Sequence, residues 1–150
     1  MNFLIATLHL SRGWVTCAQD LLYALQRRGQ VELCLLSNYS CWYELVDAQL
    51  KLQRFFPPHR TILSYRIGVR KPDTQAFQAA CDALGLPPVQ CLFVDDRASN
   101  CAAAQELGMR TAVCRTAADL RNALFAAGLL PATAALSTAP TCGSDLTAVL

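Results

Sequence analysis

Short apolar runs alternate with stretches of helical periodicity, and this alternation constrains the fold more than any other feature of the chain. Residues 31–36 and 91–94 are strand-like apolar runs, whereas residues 73–84 repeat their apolar side chains at helical spacing and end at Gly85. Strands that alternate with helices are typical of βα units, in which the strands run parallel. The sequence therefore predicts an α/β fold with a parallel sheet.

The same criteria predict elements on both sides of these runs. The amino-terminal segment, residues 1–16, has no clear pattern, and residues 131–150 are rich in Ala, Thr, Ser and Pro without a period, which is typical of a disordered tail. The expected α/β core is therefore residues 17–130. Within it, helices are predicted over 18–28, 42–50, 99–107 and after a capping box of Thr116 and Asp119, and strands over 61–65 and 110–114.

Composition excludes several classes of protein. The net charge of +2 argues against a strong nucleic-acid or membrane surface, and the apolar runs are far shorter than the roughly 20 residues of a spanning helix. The eight cysteines form no Cys-x-x-Cys pair, so a zinc site is disfavoured and reduced thiols in a reducing compartment are expected. Residues 1–10 lack a basic start and a cleavage site, which makes them a poor secretory signal.

Two adjacent carboxylates, Asp95 and Asp96, follow the apolar run 91–94. Ligands of open α/β sheets collect at the carboxyl ends of strands, and two neighbouring carboxylates there repel each other unless a cation neutralises them. Mg²⁺ suits such oxygen ligands. Because neighbouring residues of a strand point in opposite directions, one carboxylate would bind the metal directly and the other through water. Alternatively, Asp95 merely ends a strand and Asp96 or Ser99 caps the next helix.

Ser37-Asn38 and Lys71 are two further candidates upstream. Ser37 ends an apolar run and could offer its hydroxyl and nearby backbone N–H groups to a phosphate, although Ser and Asn also serve as ordinary helix caps. Lys71 opens a predicted helix and could offset phosphate and carboxylate charge, although most lysines are simply solvated. About one βα unit separates each signal from the next. We therefore expect Ser37, Lys71 and Asp96 on one edge of one sheet.

The three signals resemble, in their order, three motifs of the haloacid-dehalogenase-like (HAD) hydrolase superfamily. Residues 35–38 resemble its second motif, residues 71–73 its third, and residues 93–96 with Asn100 its fourth. The resemblance covers about residues 18–128, and it implies a three-layer Rossmann-like core that handles phosphate with Mg²⁺.

The resemblance also implies a role for each residue. Lys71 would be catalytic, because it would stabilise the charge of the nucleophile and of the phosphate, and Ser37 would bind the phosphoryl group together with Asn38. Asp96 would bind Mg²⁺ directly and Asp95 from the outer shell, with Asn100 in support.

A longer stretch, residues 37–44 with 50–52, resembles one branch of the superfamily, the plant and algal chloroplast flavin mononucleotide (FMN) phosphatases. This resemblance implies FMN or another small phosphorylated metabolite as the partner. It also implies the chloroplast stroma, with the cytoplasm as the other reducing compartment. No nucleic-acid or membrane partner is expected, and the oligomeric state stays open.

The chain departs from the superfamily in its first motif, an apolar strand that ends in Asp-x-Asp. Only Asp20 and Glu32 precede Ser37 among acidic residues, and neither belongs to such a motif; the cap domain is missing as well. The expected fold therefore lacks the first-motif strand and the cap. Either residues 3–10 fill the central place in the sheet, or the chain is the carboxyl-terminal part of a longer protein. An empty place would leave the edges of both neighbouring strands unpaired.

We predict that the chain is inactive or nearly so, because the missing motif supplies both the nucleophile and the proton-transferring acid. Two alternatives stay open: a non-catalytic phosphate-binding or interaction module, and an incomplete gene product. His9 and His59 have no partners at ligand spacing and are expected to be structural. Trp42 lies on an apolar helical stripe and is expected in the core, whereas Tyr43 could stack on a flat ring.

Overall fold

A computed structural model describes the backbone of residues 2–6 and 12–131 and the side chains of residues 18–131. The chain alternates between strands and helices, as the sequence predicts. The strands are β1 (Asn2–Ala6), β2 (Val31–Ser37), β3 (Thr61–Leu63), β4 (Cys91–Asp95) and β5 (Arg110–Val113). The helices are α1 (Arg12–Arg28), α2 (Tyr43–Leu50), α3 (Ser64–Ile67), α4 (Thr74–Leu84), α5 (Ala98–Glu106) and α6 (Ala117–Ala126).

The five strands form one parallel sheet in the order β3-β2-β1-β4-β5. Strand β1 is central, and its last residue, Ala6, pairs with Leu35 on one side and with Val94 on the other. Residues 2–6 therefore fill the place that the sequence left open, and both neighbouring strands gain a paired edge. The fold thus has a strand at the position of the first motif, whereas the Asp-x-Asp of that motif is absent from the sequence.

Two apolar clusters pack on the two faces of the sheet, because successive strand residues point to opposite sides. Leu33 and Leu35 join the cluster that contains α1 and α6, whereas Cys34 and Leu36 join the cluster that contains α4 and α5. This gives the three-layer arrangement expected for a Rossmann-like core. Within the described chain, no helix is long and apolar enough to cross a membrane.

Most element boundaries follow the sequence, and two do not. Helix α1 begins at Arg12, six residues before the predicted start at residue 18. The predicted strand 61–65 ends at Leu63, and the chain turns at once into α3. The Ser64 hydroxyl donates to the Tyr39 carbonyl at 3.2 Å, and Gly68, at φ 74°, ends the turn in the left-handed region that glycine favours. The predicted capping box of Thr116 and Asp119 is confirmed. The predicted tail lies outside the described residues, apart from Pro131.

Helix α2 is rotated relative to the sequence prediction. Trp42, expected in the core, is 66% exposed, whereas Tyr43 is only 2% exposed. The buried face of the helix also includes Asp47, whose carboxylate accepts the backbone N–H of Gln53 at 3.0 Å and its side-chain amide at 2.5 Å. Because these bonds hold Asp47 inward, the opposite face of the helix turns outward with Trp42 and Leu45.

Candidate functional site

The predicted site residues gather where β2 and β4 end, on the two sides of β1. Strand β2 ends at Ser37 and β4 ends at Asp95, and the carboxyl ends of parallel strands share one edge of the sheet. Leu36 and Asp95 each lie one residue beyond the positions that pair with Ala6. They therefore face each other across the end of the central strand.

Lys71 bridges these two strand ends. Its Nζ donates to the carbonyl oxygen of Leu36 at 2.9 Å and to Oδ2 of Asp95 at 2.8 Å. The residue is only 3% exposed, so the alternative of a solvated surface lysine does not hold. The ammonium also lies 5.5 Å from the centroid of the Phe93 ring, within the range of a cation–π contact. A buried positive charge therefore sits across the end of β1.

Asn38 holds the backbone of Lys71. Its Oδ1 accepts the Lys71 N–H at 2.8 Å, and its Nδ2 donates to the Lys71 carbonyl at 2.8 Å. These two bonds join the loop after β2 to the loop before α4. Asn38 was expected to bind phosphate, but its side-chain amide is directed at the main chain of Lys71. The geometry therefore gives this amide a positioning role, through which it acts on Lys71.

Of the adjacent carboxylates Asp95 and Asp96, Asp95 is the one whose two oxygens both accept hydrogen bonds. Its Oδ1 accepts the backbone N–H of Arg97 at 2.8 Å, and its Oδ2 accepts Lys71 Nζ and the Asn100 amide, the latter at 3.0 Å. Asn100 is itself buried in α5. The carboxylate is thus enclosed by an ammonium and two N–H donors, a setting suited to a supporting charge.

The charges of the buried pair influence each other. Burial alone would raise the pKa of Asp95, but the charge and hydrogen bond of Lys71, with the N–H groups of Arg97 and Asn100, outweigh it and hold this pKa below its usual value. Burial lowers the pKa of Lys71, and the charges of Asp95 and Asp96 offset that effect only in part. The surroundings thus favour the ionised carboxylate of Asp95, and Asp96 lies near enough to act on the same ammonium.

Asp96 and Ser37 differ from their engaged neighbours. Across the described part of the chain, neither the half-buried Asp96 carboxylate nor the buried Ser37 hydroxyl has a hydrogen-bond or ion-pair partner. Neither serves as a helix cap, because α2 and α5 begin after Trp42 and Arg97 without a side-chain cap bond. The helix-cap alternative therefore fails for both residues. A free hydroxyl and a free carboxylate flank the closed cluster of Asn38, Lys71, Asp95 and Asn100.

The oxygen groups at the strand ends could hold Mg²⁺ only together with a ligand. No group of three or more His, Cys, Asp or Glu residues able to hold a metal occurs among the described residues. Asp96 is a single free carboxylate, since the oxygens of Asp95 are engaged. Mg²⁺ is commonly bound by one or two carboxylates together with waters and the phosphate of a ligand. The residues therefore fit a Mg²⁺ ion that is shared with a phosphate ligand.

Three groups of the cluster carry no signal in the sequence. The Leu36 carbonyl and the Arg97 N–H are backbone groups, which every residue has, and Phe93 is one apolar residue in an apolar strand. Only the tertiary arrangement brings them to Lys71 and Asp95.

Known proteins share parts of this sequence and fold. Over 91 residues, 61% of this chain and 36% of the relative, the sequence is 35% identical to flavin mononucleotide hydrolase 1, chloroplastic, of Arabidopsis thaliana. The match thus spans about a third of that relative's length.

Two solved structures resemble the fold. An uncharacterised protein from Corynebacterium glutamicum superposes with a TM-score of 0.69 at 29% identity, over 86% of this chain and 94% of its own. A HAD family enzyme from Bacteroides thetaiotaomicron, in complex with magnesium and inorganic phosphate, superposes with a TM-score of 0.56 at 32% identity, over 64% and 50% of the two chains.

A family profile matches the chain from β1 through α5. Residues 5–108 match the profile of the haloacid dehalogenase-like hydrolases, which is more than half of the chain. The matched span contains every predicted site residue and four of the five strands in whole or in part. Profile, sheet order and strand-end cluster agree, and the chain therefore belongs to the haloacid dehalogenase-like hydrolase family.

Proposed function

We propose that this chain belongs to a phosphatase lineage and binds the phosphate group of a small phosphorylated metabolite at the carboxyl edge of the sheet. The observation that carries the proposal is the buried ammonium of Lys71, which spans from Leu36 to Asp95 next to Ser37 and Asp96, whose side-chain oxygens have no partner among the described residues. A fixed positive charge in a poorly hydrated place attracts an anion more strongly than the same charge in water.

Each residue would then contribute one interaction. The free hydroxyl of Ser37 donates a hydrogen bond to a phosphate oxygen, and the charge of Lys71 stabilises the dianion. Asn38 keeps Lys71 in place through its two backbone bonds. Asp96 would hold Mg²⁺ jointly with the phosphate, and Asp95 with Asn100 would support the site from behind. When bound, Mg²⁺ supplies positive charge that offsets the charges of the phosphate and of Asp96.

We further propose that the chain binds phosphate without efficient hydrolysis. The sequence has no Asp-x-Asp between β1 and β2, so the family's carboxylate nucleophile and its proton-transferring partner have no counterpart there. Removal of a nucleophile commonly lowers kcat by several orders of magnitude.

We propose FMN as the ligand. The sequence similarity to a flavin mononucleotide hydrolase supports this choice. The same relative's name supports a chloroplast as the compartment, with the cytoplasm as the alternative.

Binding measured by calorimetry with and without Mg²⁺ tests the proposal. We expect inorganic phosphate and FMN to compete for one site, and we expect Asp96→Ala and Ser37→Ala to weaken both. Glu106→Ala, an exposed acid at the far end of α5, is the control and should bind as the unmodified chain does. Phosphate that does not bind, or binds equally well to Asp96→Ala, would refute the site.

An assay of phosphate release tests whether the chain binds phosphate esters without hydrolysing them. FMN and p-nitrophenyl phosphate should yield no phosphate above background with Mg²⁺ present. Robust release that Asp96→Ala abolishes would show that another group replaces the missing nucleophile, and the chain would then be an active phosphatase.

A further inference from the structure

Helix α2 presents the opposite of the usual arrangement of its side chains. It buries a carboxylate, Asp47, whereas Trp42, the residue that precedes its first turn, is 66% exposed and Leu45 is 56% exposed. A buried polar group, or a patch of exposed apolar side chains, is an informative exception to the rule that apolar side chains lie inside. Such exceptions occur preferentially at functional sites, where the local rule is broken for a gain elsewhere.

The first turn of α2 is joined to α3, an element that begins beside the end of β2. Ser37 pairs in register with Leu63, so α3, which begins at Ser64, starts next to the end of β2. The Tyr65 hydroxyl donates to Glu44 of α2 at 2.7 Å, and Arg66 pairs with the same carboxylate. These contacts join the first turn of α2 to α3, which follows the carboxyl end of β3.

The rotation of α2 is fixed as well. The two bonds between Asp47 and Gln53 hold the inner face, and Tyr43 packs against Tyr39 edge to face with ring centroids 6.4 Å apart. The indole is therefore carried by a rigid element, which reduces the entropy lost when a ligand orders it.

We propose that Trp42, with Leu45 beside it, is the surface on which the flat aromatic part of a phosphate ester stacks while its phosphate occupies the site at Ser37 and Lys71. The inference rests on the proposed function and narrows its substrate class to esters that carry a flat ring. Trp42 is the fourth residue after Asn38, so the two Cα atoms lie at most about 14 Å apart. A ring joined to its phosphate by a chain of several bonds can span such a distance.

The size of the exposed face favours a small ligand over a protein. Two apolar side chains with the half-exposed Tyr65 nearby fall well short of the roughly 800 Å² per partner that a stable protein interface buries. One aromatic ring of one ligand matches the area of a single indole. Stacking of this kind tolerates different rings, because every flat aromatic ring offers a π-face.

Fluorescence of the full chain can test the proposal, because Trp14 is the other of only two tryptophans. In a Trp14→Phe background, Trp42 becomes the single reporter, and we expect FMN to quench its emission while glycerol 3-phosphate does not. We expect Trp42→Ala to weaken FMN binding at least about fivefold and to leave glycerol 3-phosphate within twofold, with partial recovery in Trp42→Phe. Phe125→Ala, an exposed aromatic near the far end of α6, is the matched control.

The outcomes separate this inference from the phosphate site itself. If inorganic phosphate displaces both esters but Trp42→Ala leaves FMN binding unchanged, the stacking surface is refuted and the phosphate site stands. Equal weakening of both esters, or equal weakening by Phe125→Ala, also refutes it. So does self-association of the unmodified chain that Trp42→Ala disrupts, since the face would then bind protein. If phosphate binds nowhere, the phosphate site fails first and the stacking surface fails with it.

Discussion

Two carboxylates are buried among the described residues, and the protein stabilises them in different ways. Asp95 is bonded to Lys71 and Asn100, which come from separate segments of the chain, and one of these partners is a cation. Among the described residues, the Asp47 carboxylate is bonded only to N–H groups of Gln53, six residues further on. In the described part of the chain no cation pairs with Asp47.

The difference separates a tertiary role from a local one. A charge held by distant segments depends on the whole fold, and it leaves an electrostatic field at the place where those segments meet. A charge held by its own loop fixes only the shape of that loop and the rotation of the helix before it. The chemistry of the molecule is therefore expected at Asp95, while Asp47 acts through what α2 presents.

The largest expected effect comes from breaking the buried ion pair. Lys71→Met or Asp95→Leu alone should each lower the free energy of unfolding by about 3–5 kcal/mol, because either leaves an uncompensated buried charge. The double variant should lose much less than the sum, since both charges are then gone. Urea unfolding measures all four proteins. Strictly additive losses would show that the two side chains do not interact.

Acid should weaken the Asp95 region in particular. The pKa of Asp95 in the folded state lies below its usual value, so its stabilising contribution is present above the unfolded pKa of about 3.9 and is lost as the pH falls through the lower, folded value. Urea unfolding from pH 7 to pH 2 should therefore show a steeper loss for the unmodified chain than for Asp95→Asn. Parallel curves for the two proteins would contradict the assignment.

Loss of the Asp47 carboxylate should cost less than loss of the ion pair. Asp47→Ala removes two hydrogen bonds to Gln53, each with a net contribution of about 0.5–1.5 kcal/mol. It also releases the rotation of α2, so the emission of Trp42 in the Trp14→Phe background should shift toward that of a buried indole. Asp47→Asn retains an acceptor and should lie close to the unmodified chain. An unchanged emission in Asp47→Ala would show that other contacts orient the helix.

The smallest effect is expected at the capping box of α6. There a third acid, Asp119, bonds to the nearby Thr116 at the surface of the protein. Thr116→Ala removes the side-chain acceptor of the Asp119 N–H and should cost about 1 kcal/mol, measured by thermal unfolding. This variant should leave phosphate binding unchanged, because the hydrogen bonds of the capping box do not involve the cluster of Asn38, Lys71, Asp95 and Asn100. A comparable loss of binding would place α6 in the site.

Local signals in the sequence account for most of the fold. Helix α4 is predicted over 73–84 and observed as Thr74–Leu84, because its apolar spacing, the Asp73 cap and Gly85 all lie within one segment. Strands β2 and β4 were likewise readable, since they are buried on both faces and contain few polar residues.

The features that the sequence could not provide depend on neighbours. Trp42 fits an apolar stripe, yet the bond between Asp47 and Gln53 turns it outward, and such a bond has no periodic pattern. The motif order placed Lys71 near Asp95, but the engagement of Asp95 and the freedom of Asp96 follow only from the bonds around them. The family resemblance predicts phosphate binding for Asn38, and the sequence does not reveal its bonds to Lys71, because they join residues far apart in the chain.

The central position of β1 also bears on how the protein folds. Strand β1 pairs with β2, the next strand along the chain, but its other partner, β4, follows about 85 residues later, since Phe3 pairs with Cys91. Contacts between residues so far apart in sequence form slowly, and folding rates fall as such contacts increase. Until β4 pairs with it, the apolar strand β1 has one unpaired edge, through which partly folded chains can aggregate. The refolding yield should therefore fall as the protein concentration rises, and a chaperone that binds unfolded chains should restore it.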